Sequence, residues 1–262
     1  MWKIYPMDLG HSFFDKSDAT CRMNAGIKVE GVFIGWYLTD GTHKIVVDCG
    51  LPSLEDAMKY HPYTQPTITD DQLMVNQLKK LGVDIDDIEL VLLTHLHWDH
   101  AGSCEVFKGK KARVIVSDVE LAAAINPVPA HWAAYDAFQK GITPGWAKVM
   151  TQLDTIPFAE KEILPGVTMF PTPGHSLGSM SVAVETSDGT YVICGDAVAC
   201  YENLQGNPAK GQKYIPNGVY YDLGELWDSM DRIMEKVGGK IDHAFPGHEV
   251  SIMDHVCYPI ED

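Results

Sequence analysis

The stretch LLTHLHWDHAG, from Leu92 to Gly102, places three histidines and an aspartate within six residues, directly after the aliphatic run IELVLLT. The four side chains are His95, His97, Asp99 and His100. A chain with 11 histidines in 262 residues should contain this arrangement by chance in roughly one case in a thousand. Side chains two apart in an extended segment share a face, so His95 and His97 are predicted to point the same way. Asp99 and His100 then turn with the chain and can face a second centre.

Three further polar residues each follow an apolar run that is typical of a strand. They are His175 after GVTMFPTPG, Asp196 after TYVICG and His248 after IDHAFPG. Ligand sites in layered α/β proteins gather at strand ends, where loops leave the core. A single polar residue at a strand end is usually an ordinary loop residue, but these three repeat the placement of the histidine cluster. We therefore predict that the seven residues form one site.

Five histidines and two aspartates are ligand types that suit zinc and its neighbouring transition metals. Seven ligands are too many for one tetrahedral ion, and they fit two ions that share one carboxylate. Two ions about 3.5–4 Å apart can hold a bridging hydroxide and polarise a carbonyl group. The sequence therefore predicts two divalent metal ions, with zinc as the first candidate and manganese, cobalt or iron as alternatives.

Composition indicates which classes of partner the protein can bind. Hydrophobic residues make up 45% of the chain, and the formal net charge is −16. An acidic surface repels phosphate backbones, so we expect a small-molecule substrate and no nucleic acid. No run of about 18 apolar residues and no signal-peptide pattern is present, so no membrane partner is expected. The six cysteines form no CxxC pair and are interpreted as reduced thiols in the cytoplasm. The sequence gives no indication of oligomeric state.

Strands and helices alternate along the chain, which indicates a mixed α/β fold. Two hairpins are predicted, at 29–48 around the turn TDGT and at 179–196 around SDG. Two amphipathic segments begin with a capping-box pattern, which pairs Ser117 with Glu120 and Asp222 with Glu225. Two sheets packed face to face between helices satisfy this pattern. Because no repeat or linker is evident, we expect residues 1–262 to form a single domain.

The motifs resemble those of the metallo-β-lactamase-fold hydrolases, and the resemblance runs over nearly the whole chain. The matching segments are VVDCG, THLHWDHAG, PTPGHSLGSMSV, GDA and FPGHE. Within that superfamily, the sequence is most similar to the N-acyl homoserine lactonase branch. The resemblance implies a four-layer αββα sandwich.

The resemblance also implies how the ligands are divided between the two ions. One set is His95, His97, His175 and Asp196. The other set is Asp99, His100, His248 and Asp196, which makes Asp196 the shared carboxylate. Asp48 and Thr94 are then expected to orient the ligands from outside.

The predicted function is that of a dinuclear metal-dependent hydrolase, which opens a lactone by attack of a metal-bridging hydroxide. Asp99 lies near the hydroxide in this interpretation and can accept its proton. A role in quorum quenching would follow from the lactonase resemblance. The alternative is a hydrolase of another ester, a thioester or a cyclic amide on the same site. A binding or sensing protein that holds metal without turnover is an alternative of a different class.

The segment NPVPAHWAAYDAFQKGITPGW is rich in aromatic residues and admits two interpretations. On a helix, His131, Tyr135 and Phe138 would share one face, with Trp132 beside them and Trp146 after a proline turn. The stripe can be ordinary core packing against the sheets. The other interpretation is that these five side chains line a substrate pocket.

One position departs from the lactonase pattern. In the lactonases that this chain resembles, a tyrosine stands three residues after the bridging aspartate, but the corresponding residue here is Ala199. The nearest phenol is that of Tyr201. If the strand continued past Asp196, residues 199 and 201 would share a face, and Tyr201 could reach the metals as a catalytic residue. Alternatively, Tyr201 packs in the loop.

Overall fold

The first sheet contains six strands in their sequence order. A computed structural model describes residues 1–260. The strands of the first sheet are β1 (Lys3–Asp15), β2 (Lys28–Thr39), β3 (Lys44–Val47), β4 (Leu90–Leu92), β5 (Arg113–Ser117) and β6 (Leu153–Ile156). The first three strands are antiparallel, and β3 to β6 are parallel. The pairing of β2 with β3 confirms the hairpin predicted at 29–48.

The second sheet has five strands in the order β11-β10-β9-β8-β7. They are β7 (Lys161–Leu164), β8 (Val167–Pro171), β9 (Met180–Thr186), β10 (Gly189–Ile193) and β11 (Ala244–Phe245). All neighbours are antiparallel except β10 and β11, which run parallel. The antiparallel pairing of β9 with β10 confirms the second predicted hairpin.

Helices cover the outer faces of both sheets. They are α1 (Leu54–Tyr60), α2 (Met74–Lys80), α3 (Trp98–Ala101), α4 (Asp118–Ile125), α5 (Tyr201–Gln205) and α6 (Leu223–Lys236). The Asp222 carboxylate accepts hydrogen bonds from the first turn of α6, as its sequence position predicted. Within residues 1–260, no helix has the length and apolar character needed to cross a membrane.

Three buried hydrophobic clusters lie between the four layers of the fold. Successive residues of one strand point to opposite faces of the sheet and so belong to different clusters. In β3, Val46 packs towards the helices of the first half, whereas Ile45 and Val47 pack towards the second sheet. The central cluster joins the sheets, with Trp36 stacked on Phe245 at a centroid distance of 4.8 Å. The third cluster lies between the second sheet and α6. This is the αββα layering that the resemblance implied, in a mixed α/β fold.

Candidate metal centre

The seven polar residues come from four separate segments and meet in two adjoining groups. Within each group, one potential ligand atom of every residue lies within 4.8 Å of the others. The first group is His95, His97 and His175, and the second is Asp99, His100, Asp196 and His248. The structure therefore brings together every residue that the sequence pattern selected as a metal ligand.

Asp196 contacts both groups. Its Oδ1 is 3.1 Å from Nε2 of His100, and its Oδ2 is 3.2 Å from Nε2 of His248. The same Oδ2 is 3.5 Å from Nε2 of His175 in the first group. Asp196 comes from the short turn that follows β10, and His100 comes from α3, which follows β4. One carboxylate of the second sheet thus stands between imidazoles carried by both sheets.

The imidazoles are fixed from outside through their Nδ1 atoms. These atoms contact the Asp48 carboxylate for His100, the Val219 carbonyl for His175, the Val32 carbonyl for His248 and the Thr94 hydroxyl for His95, at 2.8 to 3.1 Å. A carbonyl or a carboxylate can only accept a hydrogen bond, so Nδ1 must carry the proton where it meets one. In the neutral ring, the lone pair of Nε2 is then free to face the interior of the site, as a metal-binding histidine requires.

Asp48 occupies a costly position that its hydrogen bonds explain. The residue is buried in the left-handed region, with a φ of 56°. Its carboxylate accepts hydrogen bonds from both the backbone N–H and the hydroxyl of Thr94, at 2.8 Å each, besides the contact with His100. A non-glycine residue in this conformation persists only where surrounding contacts fix it. Asp48 and Thr94 therefore lie where the resemblance placed them, behind the histidines.

Several buried atoms of the two groups have no hydrogen-bond partner among residues 1–260. They are Nε2 of His95, His97 and His100, together with Oδ1 of Asp196. Each unsatisfied buried polar atom costs about 1–3 kcal/mol. Nε2 of His100 and Oδ1 of Asp196 lie 3.1 Å apart, and His97 meets Nε2 of His175 through its Nδ1, at 2.8 Å. Imidazole nitrogens and carboxylate oxygens can each donate a lone pair to a cation. The residues of the site therefore fit a pair of divalent cations.

The histidines of the site differ in their electrostatics. Burial alone would lower the pKa of His100 and of His248, but the neighbouring carboxylates, with Asp196 first, raise both. Burial, together with the neighbouring histidines, holds the pKa of His95 and of His97 well below the usual value, so both imidazoles are neutral. Burial alone would raise the pKa of Asp196. The charges of His248, His100 and His175 outweigh that effect and keep this pKa well below its usual range. The shared carboxylate is therefore ionised.

Glu120 connects the loops that carry the first group. It is fully buried, and its Oε1 accepts hydrogen bonds from the Leu96 N–H at 2.9 Å and the Tyr135 hydroxyl at 3.0 Å. Its Oε2 accepts from the Ser176 hydroxyl at 2.8 Å and the Gly178 N–H at 3.1 Å. Leu96 lies between His95 and His97, and Ser176 follows His175.

The capping-box prediction for α4 is half right. The Ser117 hydroxyl accepts a hydrogen bond from the Glu120 N–H at 3.0 Å, as predicted. The Glu120 side chain does not return to Ser117, because the buried carboxylate is engaged by the four donors of the ligand loops. The sequence pattern contains no signal that separates this use of a first-turn glutamate from ordinary capping.

An apolar cavity opens above the two groups. His97, Asp99, His175, Asp196 and His248 lie at its base, and its walls include Phe14, Phe33, Tyr63, Trp98 and Val219. It encloses about 730 Å³ of empty space, part of which is solvent at the mouth. Small-molecule sites are typically apolar clefts of about 300–1,000 Å³ with a few polar groups. Sequence reasoning missed Phe14, Phe33 and Tyr63, which lie far from the histidine motifs along the chain.

The five predicted side chains of the segment at 126–146 do not line the cavity, to which the segment contributes Ala134. Among the described cavity residues, none of His131, Trp132, Tyr135, Phe138 or Trp146 appears. Tyr135 is buried with its ring 4.6 Å from that of His97, and Trp146 lies in the core with Phe138 edge-on at 5.7 Å. The Trp132 indole donates to the Pro127 carbonyl, and the His131 ring is 6.4 Å from that of His97.

The helical face expected in this segment does not form. Short 3-10 turns stand at Pro129–His131 and Phe138–Lys140, separated by Asp136 with a positive φ of 46°. Prolines and a left-handed residue interrupt the i to i+4 hydrogen bonds of a helix. The aromatic side chains therefore point in different directions, and the packing interpretation accounts for Tyr135 and Trp146.

Tyr201 lies away from the cavity. Strand β10 ends at Ile193, a 3-10 turn follows at Gly195–Ala197, and Tyr201 begins α5. Residues 199 and 201 are therefore not on one face of a strand. Ala199 lines the cavity, whereas Tyr201 lines a separate cleft with Tyr191 and Tyr258.

Comparisons with known proteins agree with this fold and site. The family model of the metallo-beta-lactamase superfamily matches residues 32–248. The N-acyl homoserine lactonase AiiA of Bacillus thuringiensis subsp. kurstaki is 27% identical over 258 residues, which cover 95% of this chain and 93% of the relative. The lactonase AiiB of Agrobacterium fabrum is 33% identical over 156 residues, or 56% of this chain and 53% of the relative.

Solved structures show the same architecture. One is an N-acyl homoserine lactone hydrolase with the product N-hexanoyl-L-homoserine bound at its catalytic metal centre, with a TM-score of 0.74 and 23% identity. The structural alignment covers 96% of this chain and 95% of that hydrolase. Another is AidC, a dizinc quorum-quenching lactonase, with a TM-score of 0.68 and 15% identity. The alignment covers 95% of this chain and 88% of AidC. Because the family match covers most of the chain and includes all seven clustered residues, the chain belongs to the metallo-β-lactamase superfamily.

Proposed function

We propose that the protein is a dinuclear metal-dependent lactonase with a role in quorum quenching. The observation that carries this proposal is the pair of ligand groups that share Asp196 at the base of an apolar cavity. The lactonase relatives align along nearly the whole chain, which supports an ester of the lactone type as the substrate. N-acyl homoserine lactones are the proposed class.

The proposed ligand sets follow from the two groups and the shared carboxylate. His95, His97, His175 and Asp196 would hold one ion, and Asp99, His100, His248 and Asp196 would hold the other. Zinc is proposed because neutral imidazole and carboxylate suit it, and AidC is described as a dizinc enzyme. When bound, two such ions lower the pKa of water between them and polarise an ester carbonyl.

The side chains of the protein have separate tasks in this proposal. Asp48 and Thr94 hold the imidazoles in the tautomer that leaves Nε2 free. Asp99 lies at the cavity base with Oδ2 3.6 Å from Nε2 of His248, and its Oδ1 can accept a proton from water there. Phe14 and Phe33 provide apolar surface that binds the acyl part of the substrate and excludes water.

We also place the protein in the cytoplasm, as one domain. The six cysteines form no disulfide within residues 1–260, and the Cys104 thiol donates a hydrogen bond to the Cys49 sulfur at 3.5 Å, which suits a reducing compartment. The ligand groups draw side chains from both sheets, which supports a single functional unit.

The test combines metal analysis with a substrate panel. Zinc-loaded protein should contain about two equivalents of metal and should hydrolyse acyl homoserine lactones faster than thioesters, phosphodiesters or β-lactams. Asp196→Asn should weaken both metal sites, whereas Asp188→Asn in an exposed hairpin turn is the matched control and should change neither property. Full lactonase activity with one metal per chain would refute the dinuclear assignment. Faster turnover of a thioester or cyclic amide would favour that alternative on the same site.

A further inference from the structure

A tyrosine, a histidine and an aspartate form a hydrogen-bonded chain that leads from the core to the cavity wall. Nε2 of His61 is 2.8 Å from Oδ1 of Asp136, and Nδ1 of His61 is 3.4 Å from the hydroxyl oxygen of Tyr63. His61 is completely buried, and Asp136 is 5% exposed. Tyr63 is 62% exposed and lines the cavity together with Asp99 and Ala199.

The donor and acceptor groups of these three side chains fix the direction of the two hydrogen bonds. The Asp136 carboxylate can only accept, so Nε2 of His61 carries a proton and donates it. In neutral imidazole, Nδ1 then offers a lone pair, and the Tyr63 hydroxyl donates to it. The Tyr63 oxygen then keeps lone pairs that can accept a further hydrogen bond.

The surroundings hold this arrangement in place. The His61 ring stacks on Trp98 at a centroid distance of 3.9 Å and an angle of 8°, and Trp98 lies between His97 and Asp99 in the chain. Tyr63 belongs to the short 3-10 turn Pro62–Thr64. The Thr64 hydroxyl closes this turn by donating to the His61 carbonyl at 2.9 Å.

The buried pair has no evident benefit for stability alone. Burying an ionised aspartate and a histidine carries a desolvation cost that their attraction only partly offsets. Asp136 also has a positive φ of 46°, a conformation that is costly for a non-glycine residue. A costly polar pair that ends on a hydroxyl in a cavity wall is consistent with a role in the cavity.

The other polar wall residues leave few acceptors for a substrate. The Asn217 side chain donates to the Asp196 carbonyl and accepts from the Val219 N–H. The Thr64 hydroxyl is engaged within its turn. Above the ligand groups, Ser12, Asp18 and Tyr63 are therefore the side-chain acceptors to compare among the described cavity residues.

We propose that the Tyr63 oxygen accepts a hydrogen bond from an N–H group on the acyl side of the lactone, and that His61 and Asp136 position it. This assignment rests on the proposed lactonase function and makes Tyr63 a residue that determines specificity. It also supplies a phenol to a cavity in which position 199 is alanine. Substrates with an amide beside the lactone ring should be preferred over plain alkyl lactones.

The test compares two lactones of matched length, one with an acyl amide and one with an alkyl chain and no N–H. Tyr63→Phe should lower kcat/KM for the amide lactone by about 10-fold, mainly through KM, and leave the alkyl lactone within about twofold. Asp18→Ala and Ser12→Ala are the controls for the other acceptors, and Tyr201→Phe is the control for loss of a phenol elsewhere. An equal loss on both lactones, no loss, or a selective loss only in Asp18→Ala or Ser12→Ala would overturn the assignment.

The positioning role is tested by a double-mutant cycle. Asp136→Asn should reproduce part of the selective loss in the wild-type background and add nothing in the Tyr63→Phe background. An equal loss in both backgrounds, with a matching fall in Tm, would mean that Asp136 is only structural and would overturn its assigned role.

Ring-opened N-hexanoyl homoserine serves as a ligand that needs no turnover. Calorimetry on zinc-loaded protein should show binding that Tyr63→Phe weakens by about 10-fold and Tyr201→Phe leaves unchanged. If the wild type binds this ligand but opens no lactone, the proposed function fails while the contact with Tyr63 is still tested. Equal binding by wild type and Tyr63→Phe would overturn the contact itself.

Discussion

Replacing Glu120 by glutamine tests whether the two ligand loops are held together by one buried carboxylate. The substitution keeps the shape of the side chain but turns one oxygen into an NH2 group. That group would face one of the two donor pairs, either Leu96 with Tyr135 or Ser176 with Gly178. The hydroxyl in each pair can rotate and accept a hydrogen bond from the NH2 group. One backbone N–H remains unsatisfied in either orientation.

The size of the effect follows from that single unsatisfied donor. A buried backbone N–H without a partner costs about 1–3 kcal/mol, so Glu120→Gln should lower the free energy of unfolding by about 2 kcal/mol. Glu120→Ala leaves all four donors without an acceptor and should cost about 4 kcal/mol or more. Leu96 lies between two predicted ligands and Ser176 follows a third. Glu120→Gln should therefore lower the affinity for the ion held by His95, His97 and His175 by about 10-fold.

The assay is urea unfolding of metal-free protein, followed by zinc titration of the folded variants. Glu235→Gln removes a charge from the exposed face of α6 and should stay within about 0.5 kcal/mol of the wild type. The reasoning fails if Glu120→Gln matches this control in both stability and zinc affinity. A loss of stability with unchanged zinc affinity would restrict Glu120 to the core and remove it from the organisation of the site.

Three further predictions concern Asp48, Tyr201 and the cavity wall. Asp48→Asn removes the carboxylate that orients His100 and should weaken binding of the second metal ion by about 10- to 100-fold, with the first ion retained, as measured by metal analysis after dialysis. Tyr201→Phe should leave lactone hydrolysis within about twofold of wild type in steady-state kinetics, and a 100-fold loss of kcat would restore it as a catalytic residue. Phe14→Ala should raise KM for long-chain lactones, whereas Trp132→Ala should leave chain-length preference unchanged; the reverse result would place the aromatic segment on the cavity after all.

The parts of the molecule that the sequence predicted correctly depend on short-range patterns. The hairpins follow from turn signals between runs of β-branched residues, and the placement of the ligands follows from polar residues at strand ends. His175 and His248 are far apart in the chain, yet each follows a strand, so the convergence of strand ends brings them together. Residue type and spacing were sufficient there because strand ends in a sheet lie close together, whatever the separation of the strands in sequence.

The parts that could not be predicted depend on contacts between distant segments. Phe14 is on β1 and Tyr63 is in a 3-10 turn, and neither position has a motif that marks it as part of a cavity wall. The prediction for the aromatic segment assumed helical periodicity, which Pro129 and Asp136 interrupt. The possible reach of Tyr201 assumed a strand, but Gly195 adopts a φ of 53° and the chain turns instead. In each case one backbone conformation decided which way the side chains point.

Two buried carboxylates explain why the site and the fold depend on each other. Asp196 belongs to the second sheet and contacts His100, which follows a strand of the first sheet. Glu120 belongs to the first half and binds the loop that connects β8 and β9 in the second sheet. Each carboxylate therefore makes its contacts with the other half of the molecule only when the two sheets are packed together. The hydrophobic cluster between the sheets provides the non-directional attraction, and these two residues specify the alignment that brings both ligand groups to one cavity.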